Sequence, residues 1–454
     1  MKRFILCAVA LAVGAAASAQ VRLTPADPAA DKLVAEALKQ TPEMTEARAN
    51  AEAARRRVVP MQTLPDPSAS FSYQNDGRSL SLGKAEGSFL GVMLSQPLPW
   101  PGKLSLAGRA AESEAREIQT GVVGRAELSI EARVRNAWYD LLLARATDRL
   151  IDDRRKAASD IEETVRQRYA AGLAVQQDVL RAQVELARLD EAKASLQAQI
   201  ASRTAELNRL LGRAQDTPIE VSADLPAVVV PPQTAAVVSA VTARSPELAA
   251  AKQGIETGRL NVALAKKNFL PDFVVNAGSM YRGSFEMGPM WQIGAGVSIP
   301  LWIDRRQRNQ LGEAEARLDA RTAEHDRVAR ELELRTRERL AQLEATNRVA
   351  ALYHDKIVPL DELSLESALA SYTAGKVPFI TVLDALNALY GDRAAYLARL
   401  DEAAKWRVAV DEASLDPTAM AAGPSMPSAG TSMTAGAPRP AEAGAPSGAM
   451  TSMR

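Results

Sequence analysis

Apolar residues return every third or fourth position, with charge between them, from Lys103 to Arg168, a stretch without proline. Leu128, Val134, Trp138 and Leu142 sample its apolar face. The period is helical, and about 66 residues at 1.5 Å each make a rod of about 100 Å. A helix that long needs a partner for its apolar stripe, as in a coiled coil. Ala171-Gly172 breaks it, and a returning helix is predicted over Gln176–Leu211. A second rod runs from Asp304 to Tyr372 and breaks at Ala374-Gly375; Pro359 inside it predicts a kink. An opening helix is expected over Ala29–Val59, ended by prolines 60, 65 and 67.

Between the helices the period falls to two. Strands are predicted over Ser68–Asn75 and Ser88–Gln96, and again over Phe273–Arg282 and Met290–Ile299. The last is the clearest: Trp291, Ile293, Ala295, Val297 and Ile299 alternate with Gln292, Gly294, Gly296 and Ser298. One face is apolar and the other small or polar, which suits a half-buried soluble strand or a membrane strand equally. The aromatic residues favour the membrane, since half of them fall within 64–102 and 269–302, with Trp100 and Trp302 at strand ends near prolines. Four strands of about nine residues match a bilayer when tilted but cannot close a barrel, so several chains must contribute. The joining loops, Asp76–Gly87 and Gly283–Pro289, are polar.

The two halves can be laid over each other. Thr41-Pro42-Glu43 returns as Ser245-Pro246-Glu247, Leu64-Pro65-Asp66 as Leu270-Pro271-Asp272, and Tyr169-Ala170-Ala171-Gly172 as Tyr372-Thr373-Ala374-Gly375. Gly375 follows Gly172 by 203 residues, the spacing that also separates Pro300 from Pro97. One large unit is used twice, unlike the many short repeats of a solenoid. The expected division is a secretion signal at 1–19, a lead at 20–27, repeats at 28–212 and 236–412 about a linker at 213–235, and a disordered tail at 413–454.

Composition narrows the chemistry. The 55 basic and 55 acidic residues cancel, which leaves no electrostatic case for nucleic acid. Lys2 and Arg3, an apolar run and Ala17-Ser18-Ala19 form the signal, and it holds the only cysteine, Cys7. Disulfide, thiolate-metal and thiol chemistry are therefore not expected after cleavage. No run reaches the ~18 apolar residues of a membrane helix. His325 and His354 fall on charged helix faces, and no HExxH, Walker A or GxSxG motif occurs, so neither enzyme activity nor a cofactor is expected. The tail from Ser414 carries Met420, Met426, Met433, Met450 and Met453. Thioethers suit Cu(I) and Ag(I), so these residues are candidate metal collectors; the bias of a low-complexity tail gives the same count.

Two strand pairs, two rods, a duplication and a secretion signal resemble the TolC family of outer-membrane factors over roughly residues 28–412. Ser95-Gln96-Pro97-Leu98-Pro99-Trp100-Pro101-Gly102-Lys103 resembles the strand-to-helix junction of its heavy-metal efflux branch, and Val382-Leu383-Asp384-Ala385 the helix after the second tip. The resemblance implies a mainly α fold with a membrane β-barrel portion. A homotrimer gives four strands per chain to a twelve-stranded barrel, continued by an α-helical barrel across the periplasm. It implies that Gly172, Leu173, Gly375, Lys376 and Val377 form tips docking a periplasmic adaptor, although glycine ends helices on its own account. Asp384 matches a family aspartate at the periplasmic constriction, and Thr381 stands where the family often has a second. Trp100, Trp291, Trp302, Tyr73 and Tyr281 become membrane-interface aromatics against outer-membrane lipid. The implied role is passive conduction for an inner-membrane pump of RND type, with heavy-metal cations as cargo and drugs or other small molecules as the alternative. A soluble periplasmic coiled-coil adaptor or scaffold is the rival class.

Overall fold

The computed structural model describes residues 22–25, 27–75, 78, 88–221, 224–229, 232–281 and 288–415. The expected signal, most of both strand-joining loops and the five tail methionines lie outside them.

The opening segment is three helices rather than one: α1 (Pro28–Gln40), α2 (Pro42–Arg56) and α3 (Val58–Gln62). Pro42 has no N–H to give and holds Thr41 in extended backbone, ψ 129°, so the helix must restart. Asp27 caps α1, accepting from the Ala29 and Ala30 amides at 3.0 and 3.2 Å. Its other carboxylate oxygen accepts from Trp138 Nε1 at 2.8 Å.

The first rod comprises α4 (Lys103–Ile118), a π turn over Gln119–Val123, and α5 (Gly124–Ala170). The bulge lies where the backbone meets a later helix closely, since a Cβ on Gly124 would stand 2.9 Å from Pro246 Cβ. Helix α6 (Gln176–Leu211) returns along α5, with the bounds its sequence predicts. In the second half, α7 (Thr234–Arg244) and α8 (Pro246–Lys267) break at Ser245-Pro246 as α1 and α2 break at Pro42. The second rod is α9 (Gln307–Leu352), a π turn over Tyr353–Ile357, and α10 (Val358–Thr373), and α11 (Phe379–Asp411) returns along it. Pro359 cannot donate to the preceding turn, and the widened turn directly before it absorbs the missing bond.

Three apolar clusters hold the helices. Ala30, Val34 and Met44 meet Trp138, Leu142, Leu207 and Leu211 where α1 and α2 cross α5 and α6. Val237, Leu332, Leu340 and Val410 join α7, α9 and α11. Ile161, Val165, Leu189, Phe379, Val382 and Leu386 bind the two helical hairpins together near their tips.

Four strands, β1 (Ser68–Gln74), β2 (Phe89–Leu98), β3 (Asp272–Tyr281) and β4 (Met290–Ser298), form one antiparallel sheet in sequence order. The central β2–β3 pairing joins the two halves of the chain. Both β1–β2 and β3–β4 connections leave one end of the sheet, and all four helical connections leave the other. The outer edges of β1 and β4 carry no partner among the described residues.

Candidate channel surface and helical tips

Register decides what each face of the sheet presents, because directly opposed residues share a face. Phe71 opposes Val92, which opposes Ser279, which opposes Trp291. The same face collects Ala69, Leu94, Ala277 and Ile293, then Leu98, Phe273 and Val297. Along β3 its members are the exposed ones, and the alternate residues are half-buried. The apolar side is thus the outward side. The inward side carries Ser68, Ser70, Ser72, Asn276, Gln292, Gly294, Gly296 and Ser298. A soluble sheet places its apolar face inward; this one does the reverse, as a membrane barrel must.

The sequence-predicted aromatics fall at two levels. Tyr73, Tyr281 and Trp291 stand at the loop end, Trp291 with 77% of its surface exposed. Trp100 and Trp302 stand at the helix end, where Trp100 stacks on Phe273 with ring centroids 5.6 Å apart. Phe273 and Tyr281 mark the two levels on one strand, about 27 Å apart along it. At a tilt of about 40° that gives an apolar band of about 20 Å, close to the ~25 Å of outer-membrane barrels. The helix end is pinned by Asp272, whose Oδ1 accepts from the Trp100 amide at 2.7 Å and from Lys103 Nζ at 2.8 Å.

The two predicted tips have the same backbone geometry. Gly172 and Gly375 have φ of +70° and +71°, a region costly for residues with a Cβ. Each tip closes with the same bond pair: Gly172 N–H to Tyr169 O and Leu173 N–H to Arg168 O, then Gly375 N–H to Tyr372 O and Lys376 N–H to Ser371 O. These are Schellman closures, which satisfy the last carbonyls of α5 and α10. Gly172, Leu173, Gly375 and Lys376 are exposed, and Val377 is half-buried against the tip cluster. A residue that the pattern did not flag ties the tips together. Arg168 donates to Leu173 O at 3.4 Å and to Thr373 O in the other hairpin, with its guanidinium 5.1 Å from the Tyr372 ring centre.

Thr381 and Asp384 lie one turn apart on the exposed side of α11, while Val382, Leu383 and Leu386 face the hairpins. Asp384 therefore points away from its own chain's core. Beyond the predicted residues, α11 holds a buried charge cluster. Lys405 Nζ lies 2.7 Å from Asp401 Oδ2 and 2.8 Å from Asp140 Oδ1 of α5, and Arg203 of α6 is 3.8 Å from Asp140. Burial pushes the Asp401 carboxyl up to about 6 against the pull of Lys405. Burial also works against the Lys405 charge, but Asp401 and Asp140 together hold its pKa above the ordinary lysine value. Spacing signals only the Asp401/Lys405 pair, four residues apart on α11, because Asp140 and Arg203 come from helices far away in sequence. His354 is exposed beside Asp355, and His325 is half-buried beside Asp326. Among the described residues no three His, Cys, Asp or Glu side chains are grouped to hold a metal ion, and no helix is long and apolar enough to cross a membrane.

Comparison with known proteins agrees with this geometry. The outer membrane efflux protein family profile matches residues 33–213 and 237–414. The cobalt-zinc-cadmium resistance protein CzcC of Cupriavidus metallidurans is 23% identical over 357 residues, 78% of this chain and 82% of that protein. The probable outer membrane lipoprotein SilC of Salmonella typhimurium is 24% identical over 398 residues, 82% of each. The crystal structure of the outer membrane protein VceC of Vibrio cholerae superposes with a TM-score of 0.70 at 20% identity, covering 85% of this chain and 96% of that one.

Proposed function

The chain belongs to the outer membrane efflux protein family and is an outer-membrane efflux channel, and on that premise we propose that three copies form the passive exit duct of a tripartite pump. One observation carries the trimer: a four-stranded sheet, apolar on its outward face, whose β1 and β4 edges lack partners among the described residues. Exposed strand edges in a membrane must be paired, and β4 of one copy beside β1 of the next satisfies both. The two repeats, at 28–212 and 236–412, each supply half of the barrel wall and one helical hairpin.

The tips at Gly172-Leu173 and Gly375-Lys376-Val377 dock a periplasmic adaptor, and an inner-membrane pump of the RND class supplies energy and cargo. Three copies of Asp384 form a negative ring at the periplasmic entrance, which draws cations and repels anions. Trp100, Trp302, Tyr73, Tyr281 and Trp291 contact outer-membrane lipid at its two interfaces. Metal cations are the proposed cargo, a reading supported by the relative named for cobalt, zinc and cadmium resistance.

The deciding experiment is the native mass of protein extracted with detergent from outer membranes. A trimer is the expected result. A monomer released by osmotic shock would sink the reading and leave a soluble coiled-coil scaffold. Cargo is tested by deleting the gene and scoring tolerance; loss toward drugs alone, with metal tolerance unchanged, refutes metal transport.

A further inference from the structure

The inward face of the sheet has one feature that neither the aromatic levels nor the helical tips use. Met280 of β3 and Met290 of β4 are direct cross-strand partners. Met93 of β2 opposes Gly278, two residues from Met280, so all three thioethers share the inward face. They sit at the loop end, away from the helices. Cross-strand Cβ atoms lie about 5 Å apart and diagonal neighbours about 7–8 Å, distances that three-torsion methionine side chains bridge.

The backbone around them is cleared. A Cβ on Gly91 would stand 3.6 Å from Met280 Cγ, and one on Gly278 would stand 3.5 Å from Met93 Cβ. Met280 Cγ thus lies over Gly91 on the strand that carries Met93, and Met93 Cβ faces the bare backbone of Gly278 on the strand that carries Met280. Their neighbours on this face are largely small or polar: Ser72, Ser95, Asn276, Gln292 and Gly294. The one carboxylate on the described inward face, Asp272, stands at the opposite end and is neutralised by Lys103 at 2.8 Å. A cation at the loop end therefore finds thioether sulfur and hydroxyl or amide oxygen, with no described carboxylate or imidazole.

We propose that Met93, Met280 and Met290 form a thioether site for a soft monovalent cation, Cu(I) or Ag(I), on the wall of the exit duct. Neutral sulfur donors select such ions over Zn(II), which prefers thiolate, imidazole or carboxylate. Uncharged ligands also hold the ion loosely enough to release it, as conduction requires. The site deepens the proposed function by narrowing the cargo, and it rests on the reading in which this face lines the duct.

The test uses the full chain in detergent, dialysed to equilibrium against silver nitrate in chloride-free buffer, with zinc sulfate in parallel. Compared are the wild type, a Met93→Leu/Met280→Leu/Met290→Leu variant, and a variant with leucine at the five tail methionines. Leucine keeps volume and apolarity while removing the donor. The sheet variant is expected to lose about one Ag(I) per chain while zinc binding stays unchanged. Equal silver binding by the sheet variant and the wild type overturns the site. Should the sheet variant not assemble, X-ray absorption of the silver-loaded tail variant decides: sulfur neighbours support the site, and oxygen or nitrogen alone overturns it. The native mass of the wild type tests the channel reading separately, so a trimer with unchanged silver binding removes the site and leaves the channel.

Discussion

Replacing Asp401 by asparagine is expected to stabilise the protein at neutral pH. In the folded chain this carboxyl is displaced from 3.8 to about 6, first because burial penalises its charge and then despite Lys405 beside it. The folded pKa lies above the unfolded one, so the folded state holds its proton longer. Stability from this group is complete below about pH 4 and is lost as pH rises through 6. Carrying the charge at pH 7 costs about 3 kcal/mol relative to a neutral group. Asparagine has the shape of the protonated acid and never pays that cost. Lys405 keeps a partner in the variant, since Asp140 accepts from it at 2.8 Å. An unfolding entropy of about 2 cal/mol/K per residue gives about 0.8 kcal/mol/K for the folded part, so the gain is about 4 °C in melting temperature. The assay is thermal unfolding of detergent-solubilised wild type and Asp401→Asn between pH 4 and pH 7.5. The two curves should coincide near pH 4 and separate as pH rises to 7. A variant that melts lower than wild type at pH 7 would refute the argument and show the buried pair to be net stabilising.

Further outcomes follow from the same geometry. Gly172→Ala and Gly375→Ala each place a Cβ in left-handed backbone with open space around it, so each costs about 1 kcal/mol through conformation alone, read as a small drop in melting temperature. Arg168→Ala removes the link from the first tip to Thr373 and Tyr372; spin labels on the two tips should report a broader distance distribution without loss of secondary structure. Ile293→Lys puts a charge on the outward apolar face and should cost about 2–4 kcal/mol, seen as failed outer-membrane assembly. Asn276→Lys, on the inward face, should assemble normally. Trp138→Ala empties the largest fully buried side chain and strands an Asp27 oxygen, at a cost of about 3–5 kcal/mol measured by denaturant titration.

Local signals account for much of the framework. The returning helix at Gln176–Leu211 was legible to the residue, because Gly172 before it and Gly212 after it are stops that any backbone must respect. The four strands lie within two residues of their predicted ends. The opening helix expected in one piece over Ala29–Val59 is three, because the proline of the Thr41-Pro42 repeat motif restarts the helix. The first π turn has no local signal, since widening that turn answers packing against α8, whereas the second sits directly before Pro359, where the sequence predicts a kink.

The sequence by itself determined the order of elements, the doubling of one unit and the division of β4 into an apolar and a small or polar face, because periodicity and turn chemistry act over a few residues. It could not assign faces in β2, where Phe89, Leu90, Val92, Met93 and Leu94 run together with a single glycine between them. Only pairing with β1 and β3 sorts Leu90, Val92 and Leu94 outward and Phe89 and Met93 inward. The same holds for Arg168 against Thr373 and for Lys405 against Asp140, partners 205 and 265 residues apart in the chain. Contacts at that separation form only once the sheet register and the helix crossings are fixed, so tertiary structure alone decides which side chains line the duct, tie the tips and bury their charge.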